Sequence, residues 1–216
     1  THPRCFVSLV GFLFTRVRVL GIPFPFHTRF PEINLRFYVK RTTPQGEHRR
    51  GVVFVSEIVP RHAISLVART LYQEPYRTLP MRHRITPTPG AAEPRTPATL
   101  AVAYQLRLHN TWQTIAATAD PTPQPILPHS IEHFITEHYF GYTRRIRGLL
   151  SRASARTSEY GILHPRWSTY PIRSHTIQLD TAALYGPAFA DLAHRPPDNI
   201  LLAEGSAVAV LPGRRL

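Results

Sequence analysis

Twenty-two prolines among 216 residues constrain this chain more than any other feature. Proline makes up about 5% of an average sequence, so its share here is roughly doubled. Each one fixes φ and removes a backbone donor, which excludes long helices and cuts the chain into short elements. Between the breaks the pattern is mostly that of strands. Phe6 to Arg18 is rich in Val, Leu and Phe and reads as a buried strand running into an arginine-alternating one. Glu32 to Lys40 alternates cleanly, with Ile33, Leu35, Phe37 and Val39 on one face and Glu32, Asn34, Arg36 and Tyr38 on the other. Val52 to Val59 is apolar on both faces and reads as a central strand, joined to its predecessor as a hairpin across Pro44-Gln45-Gly46.

The period then changes. Ile64, Val67, Ala68 and Leu71 form one helical stripe between Pro60 and Pro75. Strands are expected at Thr78 to Ile85, Leu100 to His109 and Trp112 to Thr118, with a proline-rich loop from Thr86 to Pro97. After the linker Asp120 to Pro128, Ser130 caps a helix predicted over Ile131 to Phe140 and stopped by Gly141. Strands at Tyr142 to Ile146, Ser158 to Leu163, Ile172 to Leu179 and Ser206 to Leu211 follow, with short helical pieces at Thr181 to Tyr185 and Ala188 to His194. Many short strands and a few short helices point to an α+β, mostly β or barrel-like domain.

Charge suggests a partner and then withdraws it. The formal net charge is +13, the pattern of a nucleic-acid binder. Yet Lys40 is the only lysine among the 26 basic residues, whereas phosphate-tracking surfaces use both cations. The densest cluster, Arg144, Arg145 and Arg147, reads as a solvated strand end, so nucleic acid is the less favoured partner. Cys5 is alone, which excludes an internal disulfide and a multi-cysteine zinc site and leans towards a reducing, cytoplasmic setting. The apolar run from Cys5 to Phe14 is too short for a span of about 20 residues, so no membrane is expected.

Glycine-rich nucleotide loops, a Gly-x-Ser-x-Gly elbow and a His-Glu-x-x-His motif are absent from the sequence. His129, His133 and Glu137 are spaced by four, but His129 precedes the cap, so neither a metal nor a cofactor is expected. Two features carry more chemistry. Closed into a barrel, the polar face Glu32, Asn34, Arg36 and Tyr38 would line a mixed polar pocket; on a half-exposed sheet it would face water. Glu57, in an otherwise apolar strand, needs a partner such as Arg36 or Arg61, or a raised pKa, and reads equally as a structural ion pair or a functional acid.

Phe30-Pro31-Glu32-Ile33-Asn34-Leu35-Arg36-Phe37-Tyr38-Val39, Arg50-Gly51-Val52-Val53-Phe54 and Glu57-Ile58-Val59-Pro60-Arg61 resemble the uncharacterised YqjF-like family of bacterial proteins. So do Leu79-Pro80-Met81-Arg82-His83, Thr136 to Thr143, His164-Pro165-Arg166-Trp167 and Ala203 to Val208. That family is similar to the acetoacetate decarboxylase-like superfamily. The resemblance implies a bent antiparallel sheet closed into a barrel or cone, with short outer helices and a central cavity. It also implies one domain over residues 1–216, lacking a strand and helix that members carry at the N-terminus, through truncation or a misassigned start. The decarboxylases place a Schiff-base lysine and a second lysine where this sequence has Tyr76 and Arg77. Neither side chain can form an imine.

The expectation is therefore a small anionic or carbonyl-bearing molecule bound in the cavity, without Schiff-base decarboxylation. Asn34, Arg36, Tyr38, Tyr76 and Arg77 would contact the ligand, and Glu57 and Glu32 would act as acid and base. The alternative in the enzyme class is a non-imine lyase or hydrolase using one of these glutamates as general base. Oligomeric state is not legible.

Overall fold

The protein is described here by a computed structural model covering residues 5–19, 22–23, 28–72, 74–88, 99–145 and 156–216. The predicted hairpin is its spine. Strand β1 (Val7–Phe14) leads through the short β2 (Arg18–Val19) and β3 (Ile22–Pro23) to β4 (Phe30–Thr42), which returns as β5 (His48–Val59). Gly46, at φ +84°, closes the turn. Helix α1 (His62–Val67) runs into one wide turn, Ala68–Tyr72, so the predicted helical stripe is real but splits after a turn and a half. Then come β6 (Tyr76–Thr78) and β7 (Met81–Thr88), separated by Pro80 where the sequence suggested one strand. Strands β8 (Thr99–Leu108) and β9 (Thr111–Ala119) meet at His109 and Asn110, both with positive φ, as a tight primed turn demands. Of the expected loop Thr86 to Pro97, residues 89–97 lie outside the described residues.

The later part is built from β10 (Gln124–Pro125), α2 (Ile131–Thr136), β11 (Phe140–Arg145), β12 (Arg156–Leu163), β13 (Ser168–Tyr170) and β14 (Ile172–Gln178). It ends with α3 (Thr181–Tyr185), a 3-10 turn Pro187–Ala193, and the short strands β15 (Leu202–Ala203), β16 (Ala209–Val210) and β17 (Arg214–Arg215). Ser130 caps α2 as predicted, its Oγ accepting from the His133 N–H at 3.1 Å. The helix is shorter than the pattern suggested. It stops at Thr136, and Phe140 and Gly141 are already in a strand paired to Gly51 and Val52. Those sheet hydrogen bonds outcompete a third helical turn.

Strands β1, β4, β5, β11, β12 and β16 stand side by side in the larger sheet, with β6 beside β5 and β17 beside β12. A second, four-stranded sheet has the order β14, β9, β8, β7. The expected antiparallel, closed barrel is corrected in two respects. β6 and β11 run parallel to β5, and the described sheets bend over one another without closing. The core fills the space between them: Ile33, Leu35 and Ile58 meet Val102, Tyr104, Leu106 and Leu108, with Leu184 and Tyr185 of α3 at one end. Among the described residues no helix is long and apolar enough to cross a membrane.

Candidate functional site

Since Ile33 and Leu35 belong to the core, the alternating partners Glu32 and Asn34 must lie on the opposite face of β4. That face is covered as well. Glu32 and Asn34 are each 1% exposed, and Glu57 is 4% exposed. The alternative of a water-facing strand fails for Glu32 and Asn34, because Tyr76 of β6 and Tyr160 of β12 reach into this face. A β-bulge between Leu35 and Arg36 leaves Asn34 opposite Glu57 while Arg36 pairs with Phe54. On the other side Glu57 is aligned with Tyr76 of β6.

The chemistry of this cluster is that of two acids sharing a proton. Glu32 accepts at Oε1 from Asn34 Nδ2 and at Oε2 from the Tyr76 hydroxyl, each at 2.9 Å, and is hydrogen-bonded to Glu57 as well. Burial raises its pKa to about 7, against the pull of those three hydrogen bonds and of Arg36. Glu57 is pushed well above the carboxylate range, first by burial and then by the charges of Glu32 and Glu74. Glu57 therefore keeps the proton and donates it to Glu32, and the two groups divide into an acid and a base. Tyr160 adds a hydroxyl hydrogen-bonded to Glu74, and both phenols, Tyr76 and Tyr160, stay protonated, chiefly through burial. Tyr160 reaches the cluster by crossing Gly141. A Cβ there would lie 2.1 Å from the tyrosine Cζ.

Further along the face the sign of charge reverses. Arg36 lies 5.5 Å over the Tyr38 ring, and Tyr38 donates its hydroxyl proton to Ser8 Oγ at 2.7 Å. His138, 6% exposed, packs 4.6 Å from that ring. Burial, then Arg36 and Arg50, depress its pKa to about 4, so it is neutral. Four buried polar atoms on this side of the hairpin have no hydrogen-bond partner within the protein: Asn34 Oδ1, Arg36 Nε, Glu57 Oε1 and His138 Nδ1. Buried polar atoms are more than nine-tenths satisfied in folded proteins. Four unsatisfied ones lie together on this one face.

The structure thus brings together Glu32, Asn34, Glu57 and Tyr76, with Arg36 and Tyr38 adjoining. Arg77 goes elsewhere: it is exposed and donates to the Leu184 carbonyl at 2.6 Å, at the end of α3. Neither cation proposed for Glu57 pairs with it; Glu57 makes no ion pair among the described residues, and Arg61 is exposed. Glu74, Tyr160 and His138 were not picked out by sequence reasoning, because nothing local marks an acid before a proline or a tyrosine after an acid as buried. No three His, Cys, Asp or Glu among the described residues stand where they would hold a metal ion. Two cavities are described away from the acid pair. One, of about 380 Å³, lies at Tyr139, His164 and Val208, and one of about 150 Å³ lies on the outer face of the second sheet.

Bent sheets packed over one core, with a few short helices, define a mostly β protein. The chain belongs to the DUF2071 family, described as an uncharacterized conserved protein, whose profile matches residues 2–207. No curated protein matches it closely enough to count as a relative. Among solved structures, the enduracididine biosynthesis enzyme MppR with HEPES buffer bound is similar over 88% of this chain, at 12% identity and a TM-score of 0.50. The chain spans 65% of that protein's length. An acetoacetate decarboxylase-like enzyme from Sphingomonas wittichii RW1 is 13% identical, over 88% of this chain and 69% of its own, with a TM-score of 0.47. The acetoacetate decarboxylase of Legionella pneumophila subsp. pneumophila str. Philadelphia 1 is 12% identical, over 97% and 84%, with a TM-score of 0.48. Likeness at this level concerns the fold alone.

Proposed function

We propose that the β4 face binds a small anionic or carbonyl-bearing molecule, with Glu57 as proton donor, Glu32 as acceptor and no imine. The observation that carries this reading is the set of four unpartnered buried atoms beside a carboxyl pair that holds one proton. Glu57, which donates to Glu32 in the free protein, would turn its proton to a ligand carbonyl oxygen, Asn34 Oδ1 would accept from a ligand hydroxyl or enol, and Arg36 would meet a negative charge. Tyr76 and Asn34 hold Glu32 in place, while Tyr38 flanks the arginine. Imine chemistry has no amine here, since the only lysine, Lys40, is exposed and paired in register with Arg50.

A panel of short keto and hydroxy acids, read by thermal shift, tests the proposal. Saturable stabilisation by at least one of them is expected, lost in Arg36→Ala and in Glu57→Gln, with borohydride leaving the protein mass unchanged. Stabilisation that persists in both variants sinks the assignment. A second reading, a non-imine lyase or hydrolase, is favoured by Glu32 alone: a base titrating at about 7 next to a retained proton is matched to neutral pH. Its mark would be solvent deuterium entering next to the carbonyl of a bound keto acid, followed by NMR, and absent in Glu32→Gln. No exchange above the protein-free rate would dismiss it.

A further inference from the structure

Three sequence segments that the acid pair leaves unused, around Glu137, His164 and Ser206, converge on the far end of β12. Tyr139, His164 and Trp167 form a stacked column there. Ring centroids are 4.9 and 4.4 Å apart, and successive planes are inclined by 23° and 22°. Trp167 is fixed by its Nε1–H, which donates to Ser206 Oγ at 2.8 Å, and Tyr139 by its hydroxyl, which donates to Glu137 Oε2 at 2.6 Å. Arg166 stands 3.8 Å from the same Glu137 oxygen. Tyr139 and His164 of the column form one wall of the 380 Å³ cavity; Leu163, Pro165 and Val208 supply apolar walls. That volume lies within the range of small-molecule sites, about 300–1,000 Å³.

The polarity of the cavity follows from His164. Both of its faces are covered by neighbouring rings, so it meets the cavity edge-on. Its Nδ1 is 2.9 Å from the Pro165 carbonyl oxygen, which only accepts. Nδ1 therefore carries the proton in the neutral ring, and Nε2 is left as a bare acceptor. A pocket with apolar walls, an aromatic ring and one ring-nitrogen acceptor at its edge calls for a flat ligand with a donor.

We propose that this cavity is a second binding site, for a planar heteroaromatic molecule carrying an N–H group that donates to His164 Nε2. Its ring would lie against Tyr139 and the small side chains of Ala207 and Ala209, where aromatic contact adds to burial.

Benzimidazole is the probe, and 1-methylbenzimidazole, which lacks the donor, is its control. The full chain carrying Trp112→Phe and labelled with 5-fluorotryptophan has Trp167 as its only fluorine reporter, since the chain has two tryptophans. Benzimidazole should shift that resonance saturably below about 1 mM, with the methylated control about fivefold weaker, as expected for one hydrogen bond lost at a half-buried acceptor. His164→Phe keeps the stack and removes the acceptor, so it should abolish the difference between the two probes. Val208→Phe fills the cavity and should weaken both; a melting profile on each variant reports folding. No saturable shift by about 5 mM, equal binding of the two probes, or an unchanged preference in His164→Phe each overturns the proposal.

Discussion

Replacing Glu32 by Gln tests the acid pair through the pH dependence of stability, because two buried groups titrate in opposite directions. Glu32 moves from its ordinary 4.5 to about 7 on folding. Between those values the folded state holds a proton that the unfolded state has lost, so stability falls as pH rises, by about 3 kcal/mol in all once pH exceeds 7. His138 moves from 6.5 down to about 4. Between those values the unfolded state holds the extra proton, so stability rises with pH by up to about 3 kcal/mol, complete above 6.5. In the wild type the falling contributions of Glu32 and of Glu57, which is raised further still, outweigh the rising one of His138 from about pH 4.5 to 6.5, so stability should decline there. Glu32→Gln removes one of the two falling contributions, and the remaining slopes of Glu57 and His138 oppose one another, so the profile of the variant should be nearly level over that interval. The variant should gain about 2 kcal/mol relative to wild type between pH 4.5 and 6.5, or roughly 4–8 °C in melting temperature for a chain of this length. Urea unfolding followed by tryptophan fluorescence at half-unit pH steps measures it. Other titrating groups, such as Glu47, Glu132 and His83, are shared and cancel in the difference. Parallel profiles for the two proteins would refute the buried, proton-holding pair.

Glu159 should be the largest structural loss outside the core: it is 2% exposed and receives Arg41, Arg49, Arg214 and the Tyr142 hydroxyl. Removing one member of a buried charge cluster costs about 3–5 kcal/mol, reduced here because Arg214 is 59% exposed. Glu159→Ala should therefore lower the urea midpoint by an equivalent of about 2–4 kcal/mol, and a change under about 0.5 kcal/mol would contradict the network. Gly141→Ala should cost about 1–3 kcal/mol, since the new methyl displaces the Tyr160 ring from Glu74. In a Tyr160→Ala background the same change should cost much less, and additive effects in that double-mutant cycle would deny the close approach.

The two glutamates illustrate how far a single sequence reaches. Glu57 was legible because it interrupts an apolar strand, and a carboxyl group in such a place has to find a partner or keep its proton. Glu32 was legible by alternation with Ile33 and Leu35. What alternation does not reveal is which face of a half-polar strand ends up under cover. β4 is buried on both sides because β6 and β11 run parallel to β5, bringing in Tyr76 and, through β12, Tyr160. Parallel pairing depends on crossovers many residues long, which leave no local signal. Arg77 fails for the same reason in reverse. The resemblance sets it with Tyr76 where the decarboxylases carry their lysine pair, yet adjacent residues of a strand point to opposite faces, and its guanidinium serves the α3 carbonyls instead.

Glu159 carries the same signature as Glu57, an acid between Ser158 and Tyr160 in a strand, but its partners lie 118, 110 and 55 residues away. Their chemistry decides what each acid is for. Three guanidinium groups and a phenol saturate Glu159, which ties β4, β5 and β17 to β12. Glu57 meets carboxyl groups and phenols, and one of its oxygens has no partner within the protein. Such an arrangement contributes little to folding at neutral pH, where it opposes stability. That is the energetic reason for reading the Glu32–Glu57 pair, and not the more heavily bonded Glu159, as the site of function.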